Sequence, residues 1–131
     1  MIVLDTHAWV WWIGRPEEIS RGAQEAIDRA MEREEVLISS ISAWEVALLV
    51  RKGRLRLAMP VEDWIARSEA LPFVQFVPVD NPIALRSNHL PGEIHEDPAD
   101  RIIIATALTL GAPLVTRDTK IRDYPHVETI W

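Results

Sequence analysis

Short apolar runs alternate with longer stretches of helical spacing along the whole chain. The apolar runs predict buried strands, which cover residues 1–5, 36–39, 73–77, 114–116 and 126–130. The stretches between them predict helices at residues 7–13, 17–32, 42–52, 60–71, 81–89 and 98–110. Because strands that alternate with helices form βαβ units, we expect an α/β protein with three α/β/α layers and a central, mostly parallel sheet.

Capping residues mark the ends of several predicted helices. Ser42-Ala43-Trp44-Glu45 has the form of a capping box and predicts that a helix begins at Ser42. Asp97-Pro98 fits the start of helix 98–110, and Gly111 fits its end. This helix is apolar on nearly all sides, which is typical of a helix packed against a sheet.

Tryptophan is frequent, with six in 131 residues. We expect Trp9 and Trp44 to pack in the core. At least one of Trp11, Trp12 and Trp64 should stay partly exposed at a protein interface, where tryptophan is enriched. Base stacking is the less favoured role, because we expect this helix to lie away from the acidic residues.

The composition is that of an ordinary globular protein. The chain has 131 residues, of which 48% are hydrophobic and 26% charged, and its mean hydropathy is zero. We expect one domain over residues 1–131. No apolar run approaches the ~18 residues of a membrane span, and the first residues lack the basic region of a signal peptide. Cysteine is absent, which excludes disulfides and thiolate metal sites. We therefore expect a cytoplasmic protein with no membrane partner.

The charge balance is acidic, with 14 basic and 20 acidic residues and a formal net charge of −6. This balance argues against a general nucleic-acid-binding protein, unless several acids are gathered around metal. The densest cationic segment is Arg51-Lys52-Gly53-Arg54-Leu55-Arg56. Basic residues before a glycine suit a solvated helix C-terminus, and the same side chains could also contact phosphate groups or an acidic partner.

Four acidic residues lie at the ends of predicted elements, and each alone has a structural interpretation. Asp5 fits the N-cap of the first helix, and Glu45 fits the third position of the capping box. Asp100 fits the first turn of helix 98–110, and Asp118 fits a turn after a strand. Their joint placement predicts more, because the carboxyl ends of parallel strands and the helix starts that follow them share one edge of the sheet.

Carboxylates gathered at one edge raise each other's pKa and cannot all stay ionised without cations. Ligand sets made only of oxygen suit Mg²⁺ or Mn²⁺. Such an ion can activate water and stabilise the leaving oxygen of a phosphodiester. Asp5, Glu45, Asp100 and Asp118 are therefore the expected metal-binding and catalytic residues, with Mg²⁺ as the cofactor and Mn²⁺ as its substitute.

At these residues the chain resembles a known family. The motifs I-V-L-D-T-H-A-W, I-S-S-I-S-A-W-E-V-A, D-P-A-D-R-I-I-I-A-T-A and L-V-T-R-D are similar, in order and spacing, to those of PIN-domain ribonucleases. The resemblance is to the VapC-like toxins of type II toxin–antitoxin pairs in particular. It places the family's metal-binding acids on Asp5, Glu45, Asp100 and Asp118. It implies Mg²⁺-dependent endonucleolytic cleavage of RNA, a homodimer, and inhibition by a cognate antitoxin that inserts a segment near the acids.

Several neighbouring residues have open roles. Asp97 lies three residues before Asp100, and we expect Asp100 to be the direct ligand and Asp97 a cap. The other candidates are hydroxyls that could orient a carboxylate, histidines near the acids, and arginines that could pair with acids or hold a phosphate: Thr6 and Thr116; His7, His89 and His95; Arg101 and Arg117. For each of them, ordinary packing, capping or exposure is the alternative.

Other functions fit parts of the pattern. A receiver-type phosphoacceptor domain has acids, a threonine and a lysine at strand ends, which Thr116 and Lys120 imitate, but no acid pair follows the first strand here. A haloacid-dehalogenase-like phosphatase needs D-x-D after its first strand, where this chain has Asp5-Thr6-His7. In a non-catalytic interaction module the acids would serve only as caps. Metal titration and a phosphodonor test separate these functions.

Overall fold

A computed structural model describes residues 1–131 and shows a five-stranded parallel sheet with helices on both faces. A short 3-10 helix, Pro16–Glu18, precedes the second helix. In chain order the strands and helices are β1 (Ile2–Leu4), α1 (Thr6–Gly14), α2 (Arg21–Glu32), β2 (Val36–Ser39), α3 (Ser40–Arg51), α4 (Val61–Glu69), β3 (Val74–Val77), α5 (Asn81–Ser87), α6 (Pro98–Leu110), β4 (Leu114–Val115), α7 (Thr119–Arg122) and β5 (Thr129–Ile130).

The strands follow the order β3-β2-β1-β4-β5, and every neighbouring pair is parallel. The central strand β1 ends at Leu4, which is in register with Ile38 of β2 and Val115 of β4. The carboxyl ends of these three strands therefore lie side by side, and the segments that leave them start from one edge. The predicted three-layer α/β/α fold is confirmed.

Each face of the sheet carries its own hydrophobic core. Side chains alternate along a strand, so Ile2 and Leu4 enter one core while Val3 enters the other. The first core contains Trp9, which is fully buried as expected. The second is built largely on α6, where Ile103 and Ile104 are buried. None of the helices has the length and apolar character that crossing a membrane requires.

Helix α3 begins earlier than the sequence predicts. Its N-cap is Ser39, whose hydroxyl accepts a hydrogen bond from the Ile41 amide at 3.2 Å. Ser42 is buried inside the helix and hydrogen-bonds Thr6 instead, so the predicted capping box is wrong. The reason is that β2 runs directly into α3, which leaves its last residue, Ser39, in the extended conformation of a cap.

The burial of Trp44 is also wrongly predicted, since this side chain is 57% exposed. Ser42 and Val46 are buried and lie four residues apart on the inner face of α3. A residue midway between them points away from that face. Among the other tryptophans, Trp64 is buried, whereas Trp11 and Trp12 are partly exposed, as expected for at least one of the three.

Other element boundaries also differ from the prediction, and β5 covers only Thr129–Ile130 of the expected strand 126–130. The expected helix 17–32 is divided, because the hydroxyl of Ser20 accepts from the Ala23 amide and starts α2 afresh. Asp118, expected in a turn, is the N-cap of the short helix α7. The predicted end of helix 98–110 is confirmed, since Gly111 has a φ of +63°, in the left-handed region that favours glycine.

Candidate active site

All four predicted acids line one cavity of about 460 Å³ at the carboxyl edge of the sheet. They come from four different places in the fold: the ends of β1 and β4, the second turn of α3 and the first turn of α6. The complete lining is Asp5, Thr6, His7, Trp11, Glu45, Asp97, Asp100, Arg117 and Asp118. Five of these nine residues are carboxylates, so the cavity is strongly acidic.

Asp5 is held rigidly and buried. Its side chain caps α1, where Oδ1 accepts a hydrogen bond from the Ala8 amide at 2.8 Å. Only 8% of its surface is exposed. This burial raises the pKa of Asp5 from 3.8 to about 6, although hydrogen bonds from Thr116 and the Ala8 amide favour the ionised form. Burial therefore makes the ionised form of Asp5 unfavourable in the absence of a cation.

Glu45 reaches the cavity from α3 and is oriented by hydroxyl groups. The buried Thr6 hydroxyl hydrogen-bonds both the Glu45 carboxylate and the Ser42 hydroxyl, the latter at 2.9 Å. Burial raises the pKa of Glu45, and the nearby charge of Asp100 raises it further. Thr6 thus acts as an orienting hydroxyl, one of the two roles expected for it.

Asp97 and Asp100 have different surroundings, which bears on the question of which one is the direct ligand. Asp97 is exposed and caps α6, since its Oδ1 accepts from the Asp100 amide at 3.0 Å. Asp100 is partly buried, and its Oδ2 lies 2.6 Å from Nε2 of His95. Burial raises the pKa of Asp100, and the charge of Asp97 adds to the effect. This partnership with His95 was not predicted, because His95 lies in a segment without periodicity.

Asp118 is positioned by backbone and hydroxyl contacts. Its Oδ1 accepts from the Lys120 amide at 2.9 Å, and its own amide donates to the Thr116 hydroxyl at 3.1 Å. Thr116 is fully buried, and its side chain lowers the pKa of Asp5. One buried threonine therefore influences both of the acids that follow β1 and β4.

The set of donor atoms fits a divalent cation. One potential ligand atom from each of His95, Asp100 and Asp118 lies within 4.8 Å of the other two, while Asp5 and Glu45 line the same cavity without joining this tight group. Carboxylate oxygens are hard ligands that suit small divalent ions. The raised pKa values of Asp5, Glu45 and Asp100 share one main cause, burial, which an added positive charge would offset.

Trp11 and Arg117 both line the cavity, and this is not where we expected Trp11 to lie. Trp11 is one of its lining residues, so its helix does not lie away from the acids. The guanidinium carbon of Arg117 lies 5.5 Å from the centroid of the Trp11 ring, a cation–π contact. Arg117 also pairs with Glu18 at 3.4 Å. The rings of His7 and Trp131 flank Trp11 at 5.6 and 6.0 Å.

The remaining candidates lie outside the cavity. Arg101 donates to backbone carbonyls and pairs with none of the acids. It is not among the residues that line the cavity. His89 is exposed and contacts the Leu85 carbonyl. The cationic segment follows α3 as expected: α3 ends at Arg51, Gly53 has a φ of +70°, and the four basic side chains are exposed.

The sequence matches a known family over nearly its whole length. The model of the PIN domain family matches residues 2–127. Ribonuclease VapC22 from Mycobacterium tuberculosis is 35% identical over 132 residues, which cover 99% of this chain and 98% of that protein.

Solved structures give the same fold. The crystal structure of VapBC2 from Rickettsia felis, bound to a DNA fragment from their promoter, matches with a TM-score of 0.72 and 18% identity over 98% of this chain and 97% of that chain. FitAcB from Neisseria gonorrhoeae matches with a TM-score of 0.63 and 25% identity over 98% and 96%. At 18% identity the first match bears on the fold alone.

Proposed function

The chain belongs to the PIN-domain family, and from this premise we propose that it is an endoribonuclease that hydrolyses phosphodiester bonds in RNA, as the toxin of a toxin–antitoxin pair. The observation that carries the proposal is the convergence of four carboxylates, from four separate places in the fold, on one cavity. The similarity to a ribonuclease over the full length supports the choice of RNA as the substrate.

Asp5, Glu45, Asp100 and Asp118 are the residues proposed to hold the divalent cation, Mg²⁺ with Mn²⁺ as its substitute. When bound, the cation supplies activation of water and stabilisation of the charge that develops on the phosphate. The protein's part is to keep the four carboxylates close in spite of their mutual repulsion. It does so with hydrogen bonds to each acid from a backbone amide or a neighbouring side chain.

The same cavity offers contacts for the RNA itself. Arg117 is its only cation with a permanent charge, and we assign it to the phosphate group. The Thr6 hydroxyl orients Glu45 and the Ala8 amide orients Asp5, as a reaction that depends on exact placement of charge requires. Hydrolysis by a water molecule that a cation activates needs no nucleophilic side chain.

The proposed partners are a cognate antitoxin and a second copy of the chain, in the cytoplasm. The solved structures of similar fold include toxin–antitoxin complexes. An acidic cavity with raised carboxyl pKa values would accept a cationic segment of an inhibitor as it accepts a metal ion. This proposal gives the antitoxin a place to act, beside the acids.

The receiver-like alternative is not favoured by the topology. Receiver domains have the strand order 2-1-3-4-5, whereas this sheet has the order β3-β2-β1-β4-β5. A purely structural set of caps is also not favoured, because Glu45 reaches the cavity without capping any helix.

The proposal is tested by cleavage of RNA with Mg²⁺ or Mn²⁺, using the wild type, Asp5→Asn and Asp118→Asn. Each substitution should lower the rate at least ~10²-fold, because the placement of metal and water both depend on these acids. Asp80→Asn is the matched control, since Asp80 caps α5 through the Ile83 amide but is exposed outside the cavity. Undiminished cleavage by Asp5→Asn, with contaminating nuclease excluded, would refute the proposal.

A further inference from the structure

His95 meets Asp100 from a segment that has no regular secondary structure. Its Nε2 lies 2.6 Å from Oδ2 of Asp100, a short contact between a ring nitrogen and a carboxylate oxygen. The two side chains are 24% and 21% exposed, so water screens this contact only in part. At this distance one of the two atoms carries a hydrogen, and a hydrogen bond to a charged group is among the stronger kinds.

The segment that carries His95, residues 88–97, is held in place from two sides. Arg101 donates to the carbonyls of Ser87 at 2.9 Å and Ile94 at 3.2 Å. The Tyr124 hydroxyl donates to the carbonyl of Pro91. Arg101 directly follows Asp100 on α6. The same helical turn therefore carries the acid and the arginine that holds the segment of His95 in place. The position of His95 is therefore built into the fold.

The ring of His95 has two nitrogens, and their surroundings differ. Nδ1 is buried and has no hydrogen-bonding partner in the protein. A histidine that binds metal through one nitrogen almost always donates its other N–H to an acceptor. Metal binding through Nε2 would leave a buried N–H at Nδ1 without an acceptor, which is costly. If Nε2 carries the hydrogen instead, its N–H donates to Asp100, and only the lone pair of Nδ1 is left without a partner.

We propose that His95 is a positioning residue of the acidic centre, which holds Oδ2 of Asp100 through its Nε2–H and leaves Oδ1 for the cation. The inference rests on the proposed function and deepens it. It also assigns the direct ligand: Asp100 is oriented by a dedicated side chain, whereas Oδ1 of exposed Asp97 is occupied by its helix cap.

The test measures the affinity for Mn²⁺ by electron paramagnetic resonance, without RNA and without turnover. His95→Leu removes the donor and should weaken binding on the order of 10-fold, the usual effect of losing a group that orients a ligand. His95→Gln keeps an N–H donor and should restore most of the affinity. His89→Leu, a change of the exposed histidine in the same segment, should leave it unaltered. Thermal melts confirm that each variant is folded.

Two results would overturn the positioning role. The first is an affinity in His95→Leu equal to that of the wild type. The second is a nitrogen coupling in the pulsed spectrum of bound Mn²⁺ that disappears in His95→Leu, because it would make His95 a ligand. Failure of the metal centre itself is recognised separately: Asp5→Asn and Asp118→Asn would then also bind Mn²⁺ like the wild type, and both proposals would fall together.

Discussion

Asp5 provides the most direct physical test of the site, because it is a buried acid with a strongly shifted pKa. The perturbation is Asp5→Asn in protein freed of metal by a chelator. An amide oxygen can still accept the 2.8 Å hydrogen bond from the Ala8 amide, and asparagine is as good an N-cap as aspartate. The substitution therefore removes the titration of Asp5 while keeping its size and its cap.

The magnitude follows from the pKa, which burial raises from 3.8 to about 6. The folded state then binds the proton of Asp5 more tightly than the unfolded state. Asp5 favours folding below about pH 4, and this contribution is lost as the pH rises through about 6. At about 1.4 kcal/mol for each pH unit between the two pKa values, the loss approaches about 3 kcal/mol.

Urea unfolding, followed by circular dichroism between about pH 4 and pH 7.5, measures the effect. The stability of Asp5→Asn relative to the wild type should rise by about 2 to 3 kcal/mol across this range. Asp80→Asn, at an exposed cap of the same geometry, gives the baseline for the exchange of a carboxylate for an amide. A stability difference for Asp5→Asn that does not change with pH would refute the reasoning, and a large loss at neutral pH would make Asp5 a purely structural cap.

Two other predictions concern the surface and a helix end. Changing Arg51, Lys52 and Arg54 together to alanine should weaken binding of RNA or antitoxin and flatten its salt dependence, with Mn²⁺ affinity nearly unchanged; an unaltered salt slope for both partners would make the segment an ordinary solvated helix end. Gly111→Ala should lower the free energy of unfolding by about 1 kcal/mol, because its φ is +63° and open space surrounds it, so only backbone strain acts. Gly14→Ala, equally unobstructed but without a positive φ, is the control, and equal effects of the two changes in melts would contradict this explanation.

The gathering of the acids could be predicted because it depends on topology alone. An apolar strand that leads into a helix places its last residue at the carboxyl edge of a parallel sheet. Asp5 directly follows β1, and Asp118 lies three residues after β4. Both line the cavity in the structure. No knowledge of side-chain packing was needed for that step.

Finer features depend on choices that the sequence leaves open. Ser39 and Ser42 are equally good caps, and only the direct passage of β2 into α3 selects Ser39. The exposure of Trp44 follows from its position midway between Ser42 and Val46, the two buried residues of α3. Arg101 and His95 could not be assigned, because their roles depend on the path of an irregular loop that no periodicity describes.

The position of β1 at the centre of the sheet has a consequence for synthesis on the ribosome. Strands β1, β2 and β3 and most of one core come from residues 2–77, so three of the five strands can pair while the remainder is still being translated. The acids are divided differently: Asp5 and Glu45 emerge early, whereas Asp118 emerges only with β4 and α7. A nascent chain therefore cannot assemble the full set of carboxylates before β4 and α7 have emerged from the ribosome.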